Sequence, residues 1–214
     1  QHGLKLCAIL NTHHHWDHTG GNVELLESFQ VPLYAPKNEA IQGVTHKLSD
    51  GDNIALPEIR LHLRVLDIPG HTSGHIALYH DDLLFCGDTL FACGCGRLFE
   101  GTPEQMSESL DKLARLNKNT KIYCGHEYTL ANIAFAKAVE PENKNILERE
   151  KREAAKRANG QPTLPSTIGE ELATNPFLRC SEPAVIQAAE KYAGKSLPDK
   201  VAVFTALRLW KNNF

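Results

Sequence analysis

The chain lacks long apolar runs, a strong net charge and any extreme of overall composition. Its longest apolar runs cover only a few residues, far fewer than the roughly 20 that a membrane span needs, so no membrane-spanning helix is expected. The formal net charge of −3 argues against a broad basic surface, and we predict no nucleic-acid partner. Hydrophobic residues make up 42% and charged residues 23%, which excludes disordered and collagen-like classes and indicates a globular protein.

Cysteine is too sparse for a disulfide scaffold in a chain of 214 residues. The six cysteines lie mostly in apolar or glycine-rich stretches, which indicates reduced, buried side chains. Cys93 and Cys95 lack a second cysteine pair at zinc-finger spacing, so no zinc site is expected there. The first residues lack the basic and apolar regions of a secretory signal, and we expect a cytoplasmic protein.

Two regions of different character follow each other along the chain. Residues 1–130 alternate between apolar strands and short helices, whereas residues 131–214 show helical patterns, so we predict two domains with a boundary there. One helix is predicted to begin just after Thr102, which serves as N-cap and forms a capping box with Gln105. Strands are predicted at residues 4–10, 31–35, 59–68, 76–79, 83–86 and 121–124, the last of the clear strands.

Histidine is the one residue type with an uneven distribution. Four of the 11 histidines fall between His13 and His18, within the pattern His-x-His-x-Asp-His. Imidazole and carboxylate groups are natural ligands of zinc and similar divalent ions. A tight loop after a strand can direct His13 and His15 to one point, while Asp17 and His18 reach a second point.

Three later segments place an ionisable side chain directly after an apolar strand and a glycine, and they contribute His71, Asp88 and His126. The glycine lets the backbone turn sharply, and sites on rigid scaffolds gather at strand ends. Five histidines and two aspartates make seven ligands, too many for one tetrahedral ion but suited to two ions that share a carboxylate and a water. The pattern therefore predicts a binuclear hydrolytic site.

These motifs resemble those of glyoxalase II, the hydroxyacylglutathione hydrolases, within the metallo-β-lactamase superfamily. The shared segments are Thr-His-His-His-Trp-Asp-His-Thr-Gly-Gly-Asn from Thr12, Gly-His-Thr-Ser-Gly-His from Gly70, Gly-Asp-Thr-Leu-Phe from Gly87, Gly-Cys-Gly-Arg-Leu-Phe-Glu-Gly-Thr from Gly94, Tyr-Cys-Gly-His-Glu-Tyr-Thr from Tyr123 and Pro-Ser-Thr-Ile-Gly-Glu-Glu from Pro165. The resemblance implies an α+β fold. It consists of a metallo-β-lactamase-type αββα sandwich, lacking its first strands, followed by a C-terminal all-helical domain that binds the substrate.

The resemblance also implies roles for individual residues. The implied ligands of one ion are His13, His15 and His71, those of the other are Asp17, His18 and His126, and Asp88 is shared by both. Asp17 and Asp88 are also expected to orient the attacking water. Substrate contacts are implied for Arg97, Phe99, Tyr128, Arg208 and Lys211, whose three cations suit the carboxylates of glutathione. Some family members carry Tyr where this chain has Phe99, which removes one hydroxyl from the substrate site.

The implied reaction is hydrolysis of S-(2-hydroxyacyl)glutathione, typically S-D-lactoylglutathione, to glutathione and a 2-hydroxy acid by a hydroxide held between the two ions. This is the second step of methylglyoxal detoxification. Zinc is the first expectation for the ions, and the same ligands accept iron or manganese. The expected partner is this small molecule, and a monomer is expected.

Two alternatives remain open at this point. One is a mononuclear iron persulfide dioxygenase of the same superfamily, with His13, His71 and Asp88 around one ion. The other is a non-catalytic protein that binds glutathione conjugates.

Among the neighbouring residues, His14 is expected to point away from the ions, His75 to support the site through hydrogen bonds, and Trp16 to pack beneath the loop.

Overall fold

Two β-sheets face each other in the computed structural model, which describes residues 3–214. The strands are β1 (Ile9–Leu10), β2 (Leu33–Pro36), β3 (His46–Leu48), β4 (Asn53–Leu56), β5 (Leu61–Asp67), β6 (Ile76–His80), β7 (Leu83–Gly87), β8 (Leu90–Phe91), β9 (Gly94–Cys95), β10 (Lys121–Cys124) and β11 (Ser166–Thr167). The α-helices are α1 (Trp16–Thr19), α2 (Asn22–Ser28), α3 (Pro103–Ala114), α4 (Thr129–Val139), α5 (Lys144–Ala158), α6 (Ile168–Thr174), α7 (Pro183–Ala193) and α8 (Lys200–Asn212). In the described range, none of these helices combines the length and apolar character needed to cross a membrane.

The two sheets differ in strand direction. The first sheet is parallel, in the order β1-β2-β3. The second has the order β11-β10-β7-β6-β5-β4, and its strands β5, β6 and β7 alternate in direction while β10 runs parallel to β7. The carboxyl ends of β5, β7 and β10 therefore lie at the same edge of this sheet.

Side chains alternate across the second sheet, as the two-residue period of a strand requires. Leu63, Val65 and Leu78 pack in the layer between the sheets, whereas Ala77 and Cys86 pack against the helices on the other side. On the outer side of the first sheet, α2 covers a smaller apolar cluster. The order of layers is helix, sheet, sheet, helix, which confirms the predicted αββα sandwich.

Helix α3 begins as predicted. The Thr102 side chain accepts a hydrogen bond from the Gln105 backbone N–H, and the Gln105 side chain accepts one from the Thr102 N–H, which closes the capping box. Just before the helix, the Gly101 N–H donates to the Gly70 carbonyl at 3.2 Å. The start of α3 is thereby tied to the loop that carries His71.

Helices α4, α6, α7 and α8 share one apolar core with the second sheet, whereas Ile146 of α5 packs in a separate, smaller cluster. Phe135, Phe177 and Phe204 from these helices and their connections belong to the same cluster as Leu84 and Ile122 of the sheet. The C-terminal region is helical, as predicted, with one exception: β11 pairs antiparallel with β10 at the sheet edge. A two-residue strand is too short for an apolar alternation to reveal it in the sequence.

The strand predicted at residues 4–10 is paired only at its end, over Ile9–Leu10. In the parallel register Ile9 lies opposite Leu33, and the preceding Pro32 has no N–H with which to continue the ladder. For the same reason the strand predicted at residues 31–35 begins at Leu33.

The strand predicted at residues 59–68 begins later than expected. A 3₁₀ turn occupies Pro57–Ile59, and β5 starts at Leu61, where it pairs with the unpredicted strand β4. Arg60, which joins the turn to the strand, has a left-handed φ of 52° and therefore interrupts the extended backbone. The predicted domain boundary between residues 130 and 131 falls inside α4 and stays a prediction.

Candidate metal centre and substrate cavity

Four strand ends direct side chains to one edge of the sandwich. β1 ends before His13, β5 before His71, β7 before Asp88 and β10 before His126. Gly87 has a φ of 47°, a left-handed conformation that favours glycine and turns the chain at the end of β7. The predicted pattern of glycine followed by an ionisable residue therefore delivers these side chains to a common place.

His13, His15 and His71 form a first group, whose candidate ligand atoms all lie within 4.8 Å of one another. His71 Nε2 is 3.0 Å from His15 Nδ1. His71 Nδ1 is 2.9 Å from the Arg97 carbonyl oxygen, which can only accept, so Nδ1 carries the proton and the Nε2 lone pair faces the group. His13 Nδ1 similarly lies 3.1 Å from the Thr12 hydroxyl.

Asp17, His18 and His126 form a second group, again with ligand atoms within 4.8 Å of one another. His126 Nε2 lies 3.1 Å from Asp17 Oδ2 and 3.2 Å from His18 Nε2. The short helix α1 carries Asp17 and His18, and the His18 N–H donates to the His15 carbonyl at 3.0 Å. This helical turn separates Asp17 and His18 of the second group from His13 and His15 of the first.

Asp88 lies between the two groups. Its Oδ2 is 3.6 Å from His71 Nε2 of the first group and 3.3 Å from His126 Nε2 of the second, and its Oδ1 is 3.3 Å from His18 Nε2. The structure thus brings all seven predicted ligands together and gives Asp88 contacts with both groups. We call these seven residues the histidine cluster.

Two buried histidines of the cluster, His13 and His71, keep a ring lone pair available. Burial lowers the pKa of His71, and burial together with neighbouring histidines lowers the pKa of His13, so both rings are neutral near pH 7. Burial opposes ionisation of Asp88, but the hydrogen bond and charge of His18, with the charge of His126, lower its pKa. The hydrogen bond to Asp88 raises the pKa of His18.

A divalent cation fits this arrangement. His13 is fully buried, and its Nε2 has no hydrogen-bond partner within residues 3–214. A Cβ at Gly125 would lie 2.3 Å from Asp88 Oδ1 and 2.7 Å from His18 Cε1, so glycine keeps space open beside the carboxylate. Neutral imidazole nitrogens and carboxylate oxygens are the donors that zinc, iron and manganese accept.

Two further histidines lie next to the cluster without joining it. His75 Nδ1 is bonded to the Ile76 carbonyl at 3.0 Å, and its Nε2 accepts from the Asp88 backbone N–H at 3.2 Å, in line with the predicted supporting role. His14 turns away from the cluster toward two glutamates. Among the described residues, no group of candidate metal ligands includes a cysteine.

The cluster opens into a cavity of about 880 Å³. The five predicted substrate residues all line it: Arg97, Phe99, Tyr128, Arg208 and Lys211. They come from the loop after β9, the start of α4 and the end of α8, so the cavity joins the sandwich to the C-terminal helices. A larger groove of about 1260 Å³ lies among the C-terminal helices and is lined by no histidine, so its size does not mark it as the site.

The cations of this cavity are close enough to influence one another. Burial, and then repulsion from Arg208 and Arg97, lowers the pKa of Lys211. Arg208 is only 6% exposed, and its Nη1 donates to the Cys95 carbonyl at 2.8 Å. One edge of this guanidinium is therefore occupied in holding β9. In the described range, none of Arg97, Arg208 and Lys211 forms an ion pair with a carboxylate, and three neighbouring unpaired cations favour an anionic ligand.

Comparison with known proteins identifies the two regions of the chain. A family model described as "Metallo-beta-lactamase superfamily" matches residues 1–126, and one described as "Hydroxyacylglutathione hydrolase C-terminus" matches residues 127–214. The chain belongs to the hydroxyacylglutathione hydrolase family. A family member from Nitrosomonas europaea is 55% identical over 214 residues, which is 100% of this chain and 82% of that protein. One from Alkalilimnicola ehrlichii is 58% identical over 210 residues, covering 98% and 82%.

Solved structures show the same fold. The crystal structure of ETHE1 from Myxococcus xanthus has a TM-score of 0.63 at 25% identity and covers 98% of this chain and 78% of that chain. The crystal structure of TTHA1623 in a di-iron-bound form has a TM-score of 0.55 at 28% identity and covers 82% and 79%. The hydroxyacylglutathione hydrolase fold of this chain is therefore the metallo-β-lactamase sandwich with helices added at its C-terminus.

Sequence reasoning missed part of the cavity wall of this family member. Trp16, Phe91 and Phe214 also line the cavity. The prediction that Trp16 packs beneath its loop is wrong, since its side chain is 80% exposed at the cavity, where α1 turns it outward. No local pattern marks Trp16, Phe91 or Phe214 as cavity residues, because the cavity joins segments that are distant along the chain.

Proposed function

We propose that the protein hydrolyses S-(2-hydroxyacyl)glutathione thioesters, with S-D-lactoylglutathione as the expected substrate. The observation that carries the proposal is the junction of the histidine cluster with a cationic cavity built partly from the C-terminal helices. The similar proteins from Nitrosomonas europaea and Alkalilimnicola ehrlichii are both named hydroxyacylglutathione hydrolase. In methylglyoxal detoxification this reaction is the second step.

The proposal includes two divalent ions in each chain. The first group of the histidine cluster would hold one ion, the second group the other, and Asp88 both, because its two oxygens lie within reach of each group. TTHA1623 was solved in a di-iron-bound form, which supports two ions in a related sandwich. Zinc remains our first choice of metal, with iron and manganese as the others the ligands accept.

When bound, two such ions lower the pKa of a water between them and polarise a carbonyl oxygen. The chain's own part is to hold the geometry. The Arg97 carbonyl fixes the tautomer of His71, and His75 Nε2 holds the Asp88 backbone. Asp17 and Asp88 are the carboxylates placed to orient the attacking water. Water adds at the thioester carbon, the C–S bond breaks, and the thiolate takes a proton to give free glutathione.

The cavity suits the peptide part of the substrate. Glutathione carries two carboxylates, and Arg97, Arg208 and Lys211 offer cations in the same cavity as the histidine cluster. Tyr128 stacks on the His126 ring with centroids 5.1 Å apart, and Phe99 contacts the His71 ring edge-on at 5.3 Å. These rings give the thioester an apolar surface directly beside the candidate ligands.

We further propose a cytoplasmic monomer, since the six cysteines are unpaired and one chain supplies the whole cluster.

Thioester cleavage with metal analysis on the same sample tests the proposal. Purified protein is loaded with zinc, its metal content is measured per chain, and loss of S-D-lactoylglutathione is followed by absorbance. We expect two ions per chain and turnover. Two bound ions without turnover would support a binding protein. One iron per chain with oxygen consumption on glutathione persulfide would support the dioxygenase.

A further inference from the structure

A buried carboxylate outside the histidine cluster contacts two of its loops. Glu39 lies between β2 and β3, and its side chain is 1% exposed. Its Oε2 accepts a hydrogen bond from the His14 backbone N–H at 2.9 Å and also contacts the His14 ring at Nδ1. Its Oε1 accepts from the Thr72 hydroxyl at 2.6 Å and from the Gly74 N–H at 2.9 Å. Each carboxylate oxygen is therefore committed to a different loop.

These two loops carry the whole first group of the cluster. His14 lies between His13 and His15, and Thr72 directly follows His71. Within the described range, no hydrogen bond from Glu39 reaches a residue of the second group. His14 and Thr72 are direct chain neighbours of His13, His15 and His71 and of no residue of the second group, so we expect Glu39 to act on the first group.

Glu100 forms a second connection between the same two loops, but this connection is exposed to solvent. Glu100 Oε1 lies 3.2 Å from His14 Nε2, and its Oε2 accepts from the Ser73 N–H at 2.9 Å. Exposed ion pairs contribute little, because water competes for both partners. A carboxylate hidden from water gains more from its donors and loses more when they are removed. Glu39 is therefore the stronger of the two connections.

We propose that Glu39 is a positioning residue that sets the separation of the His13–His15 loop from His71 and so controls metal binding by the first group. This inference rests on the proposed two-metal function. Metal sites tolerate ligand displacements of only about 0.2 Å, so a connection between the loops acts directly on affinity. Supporting hydrogen-bond partners of metal ligands typically change affinity by about 10–100-fold.

The Glu39→Gln substitution is a sharp test because it keeps the shape of the side chain. An amide has one acceptor oxygen, whereas both Glu39 oxygens face donors. The glutamine can therefore satisfy one loop, but its NH₂ group opposes the donors of the other. Glu140→Gln is the matched control, since Glu140 is 5% exposed and is paired with Arg179 far from the histidine cluster.

The experiment titrates zinc into chelator-treated wild type and both variants, and counts bound ions per chain. For Glu39→Gln we expect about 10–100-fold weaker binding of one ion and unchanged binding of the other. For Glu39→Gln with one equivalent of zinc, the NMR shifts of the histidine ring nitrogens should show zinc bound to His126 and not to His71. Glu140→Gln should bind both ions as wild type does, even where its melting temperature falls.

The outcomes separate the two proposals. If wild type binds two ions and Glu39→Gln binds both with unchanged affinity, the role of Glu39 is overturned while the proposed function stands. The role of Glu39 is also overturned if Glu39→Gln weakens the binding of both ions equally. The same holds if Glu140→Gln weakens zinc binding as much as Glu39→Gln does. If wild type itself binds fewer than two ions, the two-metal function fails and the role of Glu39 fails with it.

Discussion

Two polar clusters in this molecule, one fully buried and one partly buried, differ in what balances their charge. Among the C-terminal helices, Arg149 Nη2 donates to Glu171 Oε1 at 2.7 Å and Arg149 Nη1 to the Thr174 hydroxyl at 2.5 Å. Arg149 and Glu171 are 1% and 0% exposed, so this cluster contains both its anion and its cation. The histidine cluster contains two carboxylates and five imidazoles, and no Lys or Arg takes part in its ion pairs within residues 3–214.

The difference shows how a structural polar core is told apart from a ligand set. Buried charges are stable when they are paired or bind a metal. The Arg149–Glu171 pair satisfies this rule by itself, and Glu171 also accepts from the Cys93 backbone N–H at 2.7 Å. In the histidine cluster, the ion-pair partners of the buried Asp88 within residues 3–214 are all histidines, and a bound divalent cation would supply a permanent balancing charge. We therefore expect substitutions in the first cluster to change stability and those in the second to change metal content and catalysis.

The largest expected effect comes from Asp88→Asn. The substitution removes the one carboxylate that contacts both groups, so both ions lose a ligand. Turnover of S-D-lactoylglutathione should fall by about 10³-fold or more, beyond the roughly 10–100-fold typical of supporting partners. Steady-state kinetics with metal analysis checks this. Turnover within about tenfold of wild type would contradict the assignment of Asp88 as the shared ligand.

Arg149→Ala should act on stability instead. It leaves Glu171 buried without its cation, which costs about 3–5 kcal/mol in unfolding free energy. Urea denaturation measures the loss, and the folded fraction should still bind two ions. The double variant Arg149→Met with Glu171→Gln should recover part of the loss, because no unpaired charge remains. Loss of metal from folded Arg149→Ala protein would contradict the expectation that this cluster affects stability and not metal binding.

Lys211→Met should raise KM by about 10–100-fold with little change in kcat, the range expected for one charged hydrogen bond. In wild type, KM should rise with pH as Lys211 loses its proton. That rise should occur below the usual range for lysine, because burial and the charges of Arg208 and Arg97 lower its pKa. Lys211→Arg should move the rise to higher pH, since guanidinium stays charged. A KM that is independent of pH up to the usual lysine range would exclude this role.

The smallest effect is expected for Phe99→Tyr. The side chain is 62% exposed, and exposed substitutions usually change free energies by no more than about 0.5 kcal/mol. KM should therefore change by less than about threefold, and the melting temperature by little. A large fall in KM would mean that the added hydroxyl restores a substrate hydrogen bond, and would place Phe99 closer to the peptide than the cavity indicates.

The histidine cluster could be predicted because its information is local. His13, His15, Asp17 and His18 stand within six residues of one another, and a glycine directly precedes His71 and the other late ligands. The αββα sandwich was implied by the family resemblance, which rests on the same short motifs. In each case a short segment carries both the chemistry and the turn that orients it.

The supporting contacts could not be predicted because they join distant segments. Glu39 is 25 residues from His14 and 33 from Thr72. Nothing near Glu39 in the sequence distinguishes it from a solvated glutamate. Arg208 is a similar case, since its contact with the Cys95 carbonyl spans 113 residues and becomes visible only once α8 packs beside β9. Long-range partners of this kind are set by tertiary packing.

Strand β11 makes the two regions of the chain interdependent. It occupies the edge of the second sheet next to β10, whose last residue, Cys124, is followed by Gly125 and His126. A fragment ending at residue 130 would leave the N–H and C=O groups of β10 open to pairing with other chains. We therefore expect the sandwich to depend on the helical region, which lines the cavity and covers a sheet edge that could otherwise pair with other chains.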